Sequence, residues 1–119
     1  MKYYILKTET LYYDGHGEGE DGGITLEVVS ETEIREDFGN DTIAANTMLE
    51  IINKSNGQPI ILDHEDELVL LEDYDDSEDY PEDGYNYTNE IFTYSEIEEN
   101  EYKKYSKIIK EYNDLLKRY

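Results

Sequence analysis

A chain of 119 residues has the length of one domain, and its 31 acidic against ten basic residues give a net charge of −21. A surface of this sign repels nucleic acid and the anionic leaflet of a membrane, which argues against direct binding to either. The absence of cysteine excludes disulfide bonds and thiolate metal sites, so we expect a reducing location, the cytoplasm.

The N-terminal residues predict a β-hairpin with an acidic tip. Residues Lys2 to Tyr13 mix β-branched, aromatic and polar side chains in rough alternation, which is typical of a strand. Residues 14–23 contain five glycines and predict a loop, and Ile24 to Val29 resumes the strand pattern.

Two helices are predicted to follow the hairpin. Ser30 and Glu33 have the spacing of a capping box, which predicts a short helix that ends at Gly39. Asp41 is the expected N-cap of a second helix, from Thr42 to about Lys54. The apolar stripe of that helix is predicted from Ile43, Thr47, Met48, Ile51 and Ile52, and its end from Asn56 and Gly57.

The second half of the chain predicts another hairpin, an acidic arm and a long helix. Pro59 to Leu62 and Glu67 to Leu71 are short apolar runs on either side of an acidic turn. Residues 72–89 contain few aliphatic side chains and are either an ordered acidic arm or a disordered loop, and Ile91 to Tyr94 predicts a further strand. A helix over about 95–118 is predicted to start at a capping box of Ser95 and Glu98. Its apolar stripe is Tyr102, Tyr105, Ile109, Tyr112, Leu116 and Tyr119.

These elements together predict one α+β domain spanning residues 1–119. We expect a small antiparallel sheet of four or five strands, two short helices, and the C-terminal amphipathic helix packed across one face.

The charge is distributed unevenly along the chain. Residues 55–102 contain 17 carboxylates and neither Lys nor Arg. Residues 1–102 have a net charge of −25, whereas residues 103–119 have a net charge of +4. Because a net charge of magnitude about 2 to 8 suffices to keep a small domain soluble, we interpret the excess as selection for a positively charged target.

The spacing of the acidic residues favours a surface that imitates nucleic acid. Carboxylates two residues apart on one face of a strand lie about 6.6 Å apart, a separation similar to that of successive phosphates. Pairs with this spacing are Glu65 and Glu67, Asp73 and Asp75, Asp76 and Glu78, and Glu96 and Glu98. Tyrosines between the acids could stack on or hydrogen-bond to arginines of a partner. The predicted contact residues are Asp63, Glu65, Asp66, Glu67, Asp73, Tyr74, Asp75, Asp76, Glu78, Asp79, Tyr80, Glu82, Asp83 and Tyr85.

In charge, size and composition the chain resembles a functional class, and Asp63 to Glu101 carries most of the resemblance. The class is that of the small acidic DNA mimics of phages and mobile elements, which includes anti-restriction and anti-CRISPR proteins. The resemblance implies an inhibitor that occupies the basic nucleic-acid cleft of a host defence nuclease, either a CRISPR effector or a restriction enzyme. It implies neither an enzymatic activity nor a cofactor.

Two other classes of function remain open. An immunity-type or other protein-binding module could use the tyrosine stripe of the C-terminal helix, and the same stripe could join a homodimer. An acidic protein could also bind divalent cations, through Asp14, His16, Glu18, Glu20 and Asp21. Asp73, Asp75 and Ser77 match the start of a calcium loop, but Glu78 occupies the position that requires glycine. Neither His16 nor His64 lies in a catalytic motif, so we do not expect an enzyme.

Overall fold

The computed structural model describes residues 1–13, 19–63, 67–74 and 87–119 and has the predicted α+β fold. Its sheet has five strands, and three α-helices accompany it. In chain order the elements are β1 (Tyr3–Tyr13), β2 (Gly19–Ser30), α1 (Glu31–Asp37), α2 (Thr42–Ser55), β3 (Ile60–Leu62), β4 (Leu68–Leu70), a 3-10 turn (Leu71–Asp73), β5 (Tyr87–Ile97) and α3 (Glu99–Arg118).

The five strands are all antiparallel to their neighbours, in the order β2-β1-β5-β3-β4. Strand β1 lies between the two other long strands along its whole length: Tyr3 pairs with Ser30 and Ile97, and Tyr13 pairs with Gly19 and Tyr87. The short strands β3 and β4 extend the sheet beyond β5. Both predicted hairpins are therefore confirmed.

The first hairpin continues further than its glycines predicted. Residues 19–23 belong to β2, where the register shifts between the pairs Thr10–Gly23 and Leu11–Asp21. Gly23 has φ +117°, a backbone conformation that glycine adopts without strain. The glycines thus allow a β-bulge inside a strand rather than ending the strand, and only residues 14–18 of the predicted loop lie outside the described residues.

Opposite faces of the sheet carry different helices, because alternate residues of a strand point to opposite sides. Tyr4 and Leu6 of β1 belong to the core with residues of α1 and α2, whereas Ile5 lies beside α3. The buried core consists of Tyr4, Leu6, Ile34, Leu49, Ile52, Ile60 and Tyr94. Sequence analysis placed the C-terminal helix on one face, as observed.

Capping explains where α1 and α2 begin and end. The Ser30 hydroxyl accepts a hydrogen bond from the Glu33 N–H at 3.2 Å, and the Glu33 carboxylate accepts one from the Ser30 N–H at 3.3 Å. Asp41 accepts from the Ala44 N–H at 3.0 Å and caps α2. The left-handed φ of +58° at Gly39 and of +49° at Asn56 follow the two helix ends. These predicted caps are confirmed.

The buried side of α2 differs from the predicted stripe. The predicted Ile52 is buried and the predicted Met48 and Ile51 pack against the core, whereas Ile43 is 81% exposed and Ala45 and Leu49, which were not predicted, are buried. Leu49 and Ile52 are three residues apart and therefore lie on the same face of α2. The helix packs this face against the sheet because both side chains belong to the core.

The C-terminal helix begins later than predicted. Ser95 lies in β5, which stays paired with β1 as far as Ile97, and α3 starts at Glu99 with Glu98 as its N-cap. The Glu101 carboxylate accepts a hydrogen bond from the Glu98 N–H at 3.1 Å. The predicted capping box of Ser95 and Glu98 is therefore wrong, since the strand continues through that position.

Candidate interaction surface

The fold brings residues that border acidic connections of the chain to one end of the sheet. We call this the hairpin end; it is the end at which Tyr13, Gly19, Asp63, Glu67 and Tyr87 lie. Tyr13 and Gly19 flank residues 14–18, Asp63 and Glu67 flank residues 64–66, and Tyr87 follows residues 75–86. These three connections lie outside the described residues and contain ten Asp or Glu residues and neither Lys nor Arg.

The strand order brings two base-free parts of the sequence side by side. Residues 8–34 contain eight carboxylates and residues 55–102 contain 17, so the two parts hold 25 of the 31 acids and none of the ten Lys or Arg residues. The pairing of β1 with β5 joins them across the middle of the sheet. Sequence reasoning found only the second part, because the connection between the two depends on strand order.

Four of the predicted contact residues are described, and they do not form one cluster. Asp63 and Glu67 lie at the hairpin end, in the turn between β3 and β4. Asp73 and Tyr74 follow β4, which runs away from that end, and the Leu71 N–H donates to the Pro59 carbonyl at 2.9 Å. The rise of a strand places this turn about 13 Å along the sheet from Asp63. The other predicted residues lie outside the described residues: Glu65, Asp66, Asp75, Asp76, Glu78, Asp79, Tyr80, Glu82, Asp83 and Tyr85.

Asp63 has a structural role in the hairpin. Its carboxylate accepts a hydrogen bond from the Glu67 N–H at 2.8 Å, while its own N–H donates to the Glu67 carbonyl at 2.7 Å. The two bonds close the turn between β3 and β4. Substitution of Asp63 would thus change the turn as well as the surface charge, whereas the Glu67 side chain is exposed.

An apolar groove of about 610 Å³ opens at the hairpin end. Leu62, which is 45% exposed, contributes to its wall, and the acidic residues Asp63 and Glu90 also line it. Its other lining residues are Ile61, Leu68, Asn89 and Phe92. An apolar groove beside carboxylates suits the side chains of Arg and Lys, whose aliphatic stems pack on apolar surface while their charged groups meet acids.

A second group of carboxylates lies at the opposite end of the sheet, where β1 begins and β2 and β5 end. Several of these side chains bond within the chain: Glu31 accepts from the Lys2 N–H at 2.8 Å, and Glu99 pairs with Lys103 at 3.3 Å. Glu33 accepts from the Tyr102 hydroxyl as well as from the Ser30 N–H. These acids cap and join elements, and sequence reasoning missed the contact of Glu33 with Tyr102 because 69 residues separate them.

Three tyrosine hydroxyls are held in the neutral form by their surroundings. Burial, together with the carboxylates of Glu27 and Asp37, raises the pKa of Tyr94 from 10.0 to about 12. Burial, with Glu31 and Glu96, also raises the pKa of Tyr4. The hydrogen bond to Glu33 is the main cause of the raised pKa of Tyr102. Carboxylates therefore contribute to the raised pKa of each of these three tyrosines.

The described residues contain no ready-made cation site and no membrane-crossing helix. Within 1–13, 19–63, 67–74 and 87–119, no three His, Cys, Asp or Glu side chains lie close enough together to hold a metal ion. Asp14, His16, Glu18 and His64 lie outside these ranges, and the side chains of Glu20 and Asp21 are not described. None of the described helices combines the length and the apolar content that crossing a bilayer requires.

Comparison of the chain with protein-family models, with curated proteins and with solved structures finds no match. Any functional inference must therefore come from the charge, topology and exposed surfaces of this chain itself.

Proposed function

We propose that the protein inhibits a bacterial nucleic-acid-binding protein by inserting its acidic hairpin end into the basic cleft of that target. The target class is a host defence nuclease, a CRISPR effector or a restriction enzyme, in the bacterial cytoplasm. The observation that carries the proposal is that one end of the sheet holds Tyr13, Gly19, Asp63, Glu67 and Tyr87, which border three connections with ten acids and no Lys or Arg. At the same end Asp63 and Glu90 line an apolar groove.

The physical basis is competition for the same positive charge. A cleft that binds duplex nucleic acid carries Lys and Arg side chains that neutralise phosphates, and an acidic protein surface can meet these side chains in their place. Charge complementarity also accelerates the encounter of the two proteins and makes it sensitive to salt. Among the described side chains, Glu9 pairs with Lys7 at 2.9 Å, whereas Glu67 and Glu90 at the hairpin end are exposed and can meet cations of a partner.

The groove at the hairpin end would add affinity that charge alone does not supply. Surface ion pairs contribute little, about 0–1 kcal/mol each, because the charged groups lose hydration and side-chain freedom. Burial of an apolar stem against Leu62 and Leu68 adds about 25 cal/mol per Å² of apolar surface removed from water.

The proposal is tested by inhibition of DNA cleavage. The protein is titrated into cleavage reactions of a panel of purified restriction endonucleases and CRISPR effector nucleases, with duplex DNA as substrate. We expect at least one nuclease to be inhibited, and we expect excess non-cleavable duplex DNA to displace the protein. Inhibition should weaken steeply as salt rises, since both partners are highly charged.

Two variants of equal net charge test whether inhibition depends on the acids of the hairpin end or on the total charge of the protein. The variant Glu67→Lys, Glu90→Lys alters exposed acids of the hairpin end, and the control Glu36→Lys, Glu50→Lys alters exposed acids of α1 and α2. We expect the first to lose at least tenfold more inhibition than the second, a difference of about 1.4 kcal/mol in binding. Equal losses, or inhibition unaffected by competitor DNA, would contradict the proposal.

A further inference from the structure

Helix α3 is only half covered by its own sheet. Its first half contacts the strands: the rings of Tyr3 and Tyr102 lie 4.8 Å apart, and Tyr105 and Ile109 lie beside Ile5 and Val28. Residues 110–119 are exposed throughout. Helix α3 contacts β1 and the edge strand β2, and we call its exposed residues 110–119 the overhanging half.

The overhanging half is apolar on one side. The exposed fractions are 61% at Tyr112, 52% at Leu115 and 60% at Leu116. Ile108, at the point where the helix leaves the sheet, is 50% exposed. Exposed aliphatic side chains at this spacing on one amphipathic helix are typical of an interface.

The edge strand offers a matching surface on the same face of the sheet. Ile24 and Leu26 of β2 are 66% and 57% exposed, and Leu26 lies next to Ile108. Strand β2 has 12 residues and pairs only with β1, so the backbone groups on its outer side have no strand partner among the described residues. Backbone donors and acceptors on the outer side of an edge strand can pair with another strand.

The charge along α3 indicates which molecule covers this surface. The first turn of the helix carries Glu99 and Glu101, and the last turn carries Lys117 and Arg118. Two such helices placed antiparallel bring Lys117 and Arg118 of each near Glu99 and Glu101 of the other, and they place the two basic residues over a β2 strand that contains Glu27 and neither Lys nor Arg. A second copy of the chain supplies that arrangement, and it also supplies an edge strand of equal length.

We infer that two copies of this chain form a dimer with two-fold symmetry, in which their β2 strands pair antiparallel and continue the sheet. The overhanging half of each α3 lies across β2 of the partner copy, beside the first half of the partner copy's α3. Tyr112, Leu115 and Leu116 of one copy then cover Ile24 and Leu26 of the other. The interface is isologous, as most dimer interfaces are.

Sedimentation equilibrium of the full chain tests this inference. We expect a mass of twice 14.0 kDa at concentrations of about 100 µM. Leu116→Glu on the helix and Leu26→Glu on the strand should each raise the dimer dissociation constant at least tenfold, because each places a charge in the apolar contact. The matched control is Ile43→Glu, at a residue 81% exposed on α2, and it should leave the dissociation constant unchanged.

All three variants alter exposed side chains, so each should keep the circular dichroism spectrum of the parent chain. A parent chain that stays monomeric up to about 1 mM would overturn the inference. A dimer dissociation constant that stays unchanged in either Leu26→Glu or Leu116→Glu would also overturn it. The same holds if Ile43→Glu raises the dissociation constant as much as these two variants do. Leu26→Glu and Leu116→Glu leave the described acids of the hairpin end, Asp63, Glu67 and Glu90, unchanged, so loss of the dimer and loss of nuclease inhibition are separate outcomes.

Discussion

At the scale of single residues, nearby carboxylates affect the pKa of Tyr94, a tyrosine of the buried core. The side chain is 8% exposed, and Glu27 and Asp37 add to the effect of burial in raising its pKa to about 12. Ionisation of this hydroxyl would place a third negative charge near those two carboxylates. The folded protein therefore keeps Tyr94 protonated over a pH range in which the unfolded chain, with a pKa near 10.0, loses the proton.

This difference predicts a loss of stability at alkaline pH. Below about pH 10 the hydroxyl is protonated in both states and has no effect, whereas between pH 10 and 12 only the unfolded state releases its proton, which favours unfolding. The contribution of Tyr94 amounts to about 2 kcal/mol by pH 12. Urea unfolding of the parent chain and of Tyr94→Phe at pH 8 to 11 measures it. The free energy of unfolding of the variant should fall less over this range than that of the parent chain. An equal fall in both proteins would show that Tyr94 does not cause the loss.

At the scale of elements, local sequence patterns predicted the structure where the deciding interactions are local. The capping box of Ser30 and Glu33 and the N-cap Asp41 involve residues three apart, so the sequence alone sufficed. The start of α3 was misplaced because pairing of β5 with β1, a contact between residues distant in sequence, keeps Ser95 in a strand. Ile43 was assigned to the buried stripe of α2 although it is exposed, since the orientation of the helix is set by the core below it.

The corrected start of α3 gives a prediction that separates the two caps. Glu101→Ala removes the carboxylate that accepts from the Glu98 N–H and should destabilise the protein by about 0.5–1 kcal/mol. Ser95→Ala changes an exposed strand residue and should alter the free energy of unfolding by less than about 0.5 kcal/mol. Urea unfolding monitored by circular dichroism measures both. A larger loss of stability for Ser95→Ala than for Glu101→Ala would favour the capping box of Ser95 and Glu98 over that of Glu98 and Glu101.

At the scale of the whole molecule, the sequence showed the amount of negative charge but not its arrangement. The base-free run of residues 55–102 is visible by counting, whereas residues 8–34 become part of the same surface only through strand order. Asp63 was predicted as a contact residue, and the structure adds its role in closing the β3–β4 turn. The exposure of the second half of α3 was likewise not predicted, because its regular apolar spacing is also the pattern of a helix that packs along its whole length on its own sheet.

A net charge of −21 on 119 residues predicts that salt stabilises the folded protein. Folding brings the carboxylates together, and a Debye length that shortens from about 30 Å at 0.01 M salt to about 8 Å at 0.15 M screens their repulsion. The midpoint of urea unfolding should therefore rise over this range; urea is used because guanidinium is itself a salt. The variant Glu36→Lys, Glu50→Lys, Glu111→Lys has a net charge of −15, by arithmetic from −21, and should show a smaller rise. An equal rise in both proteins would mean that salt acts on unfolding through burial of apolar surface rather than through screening of charge.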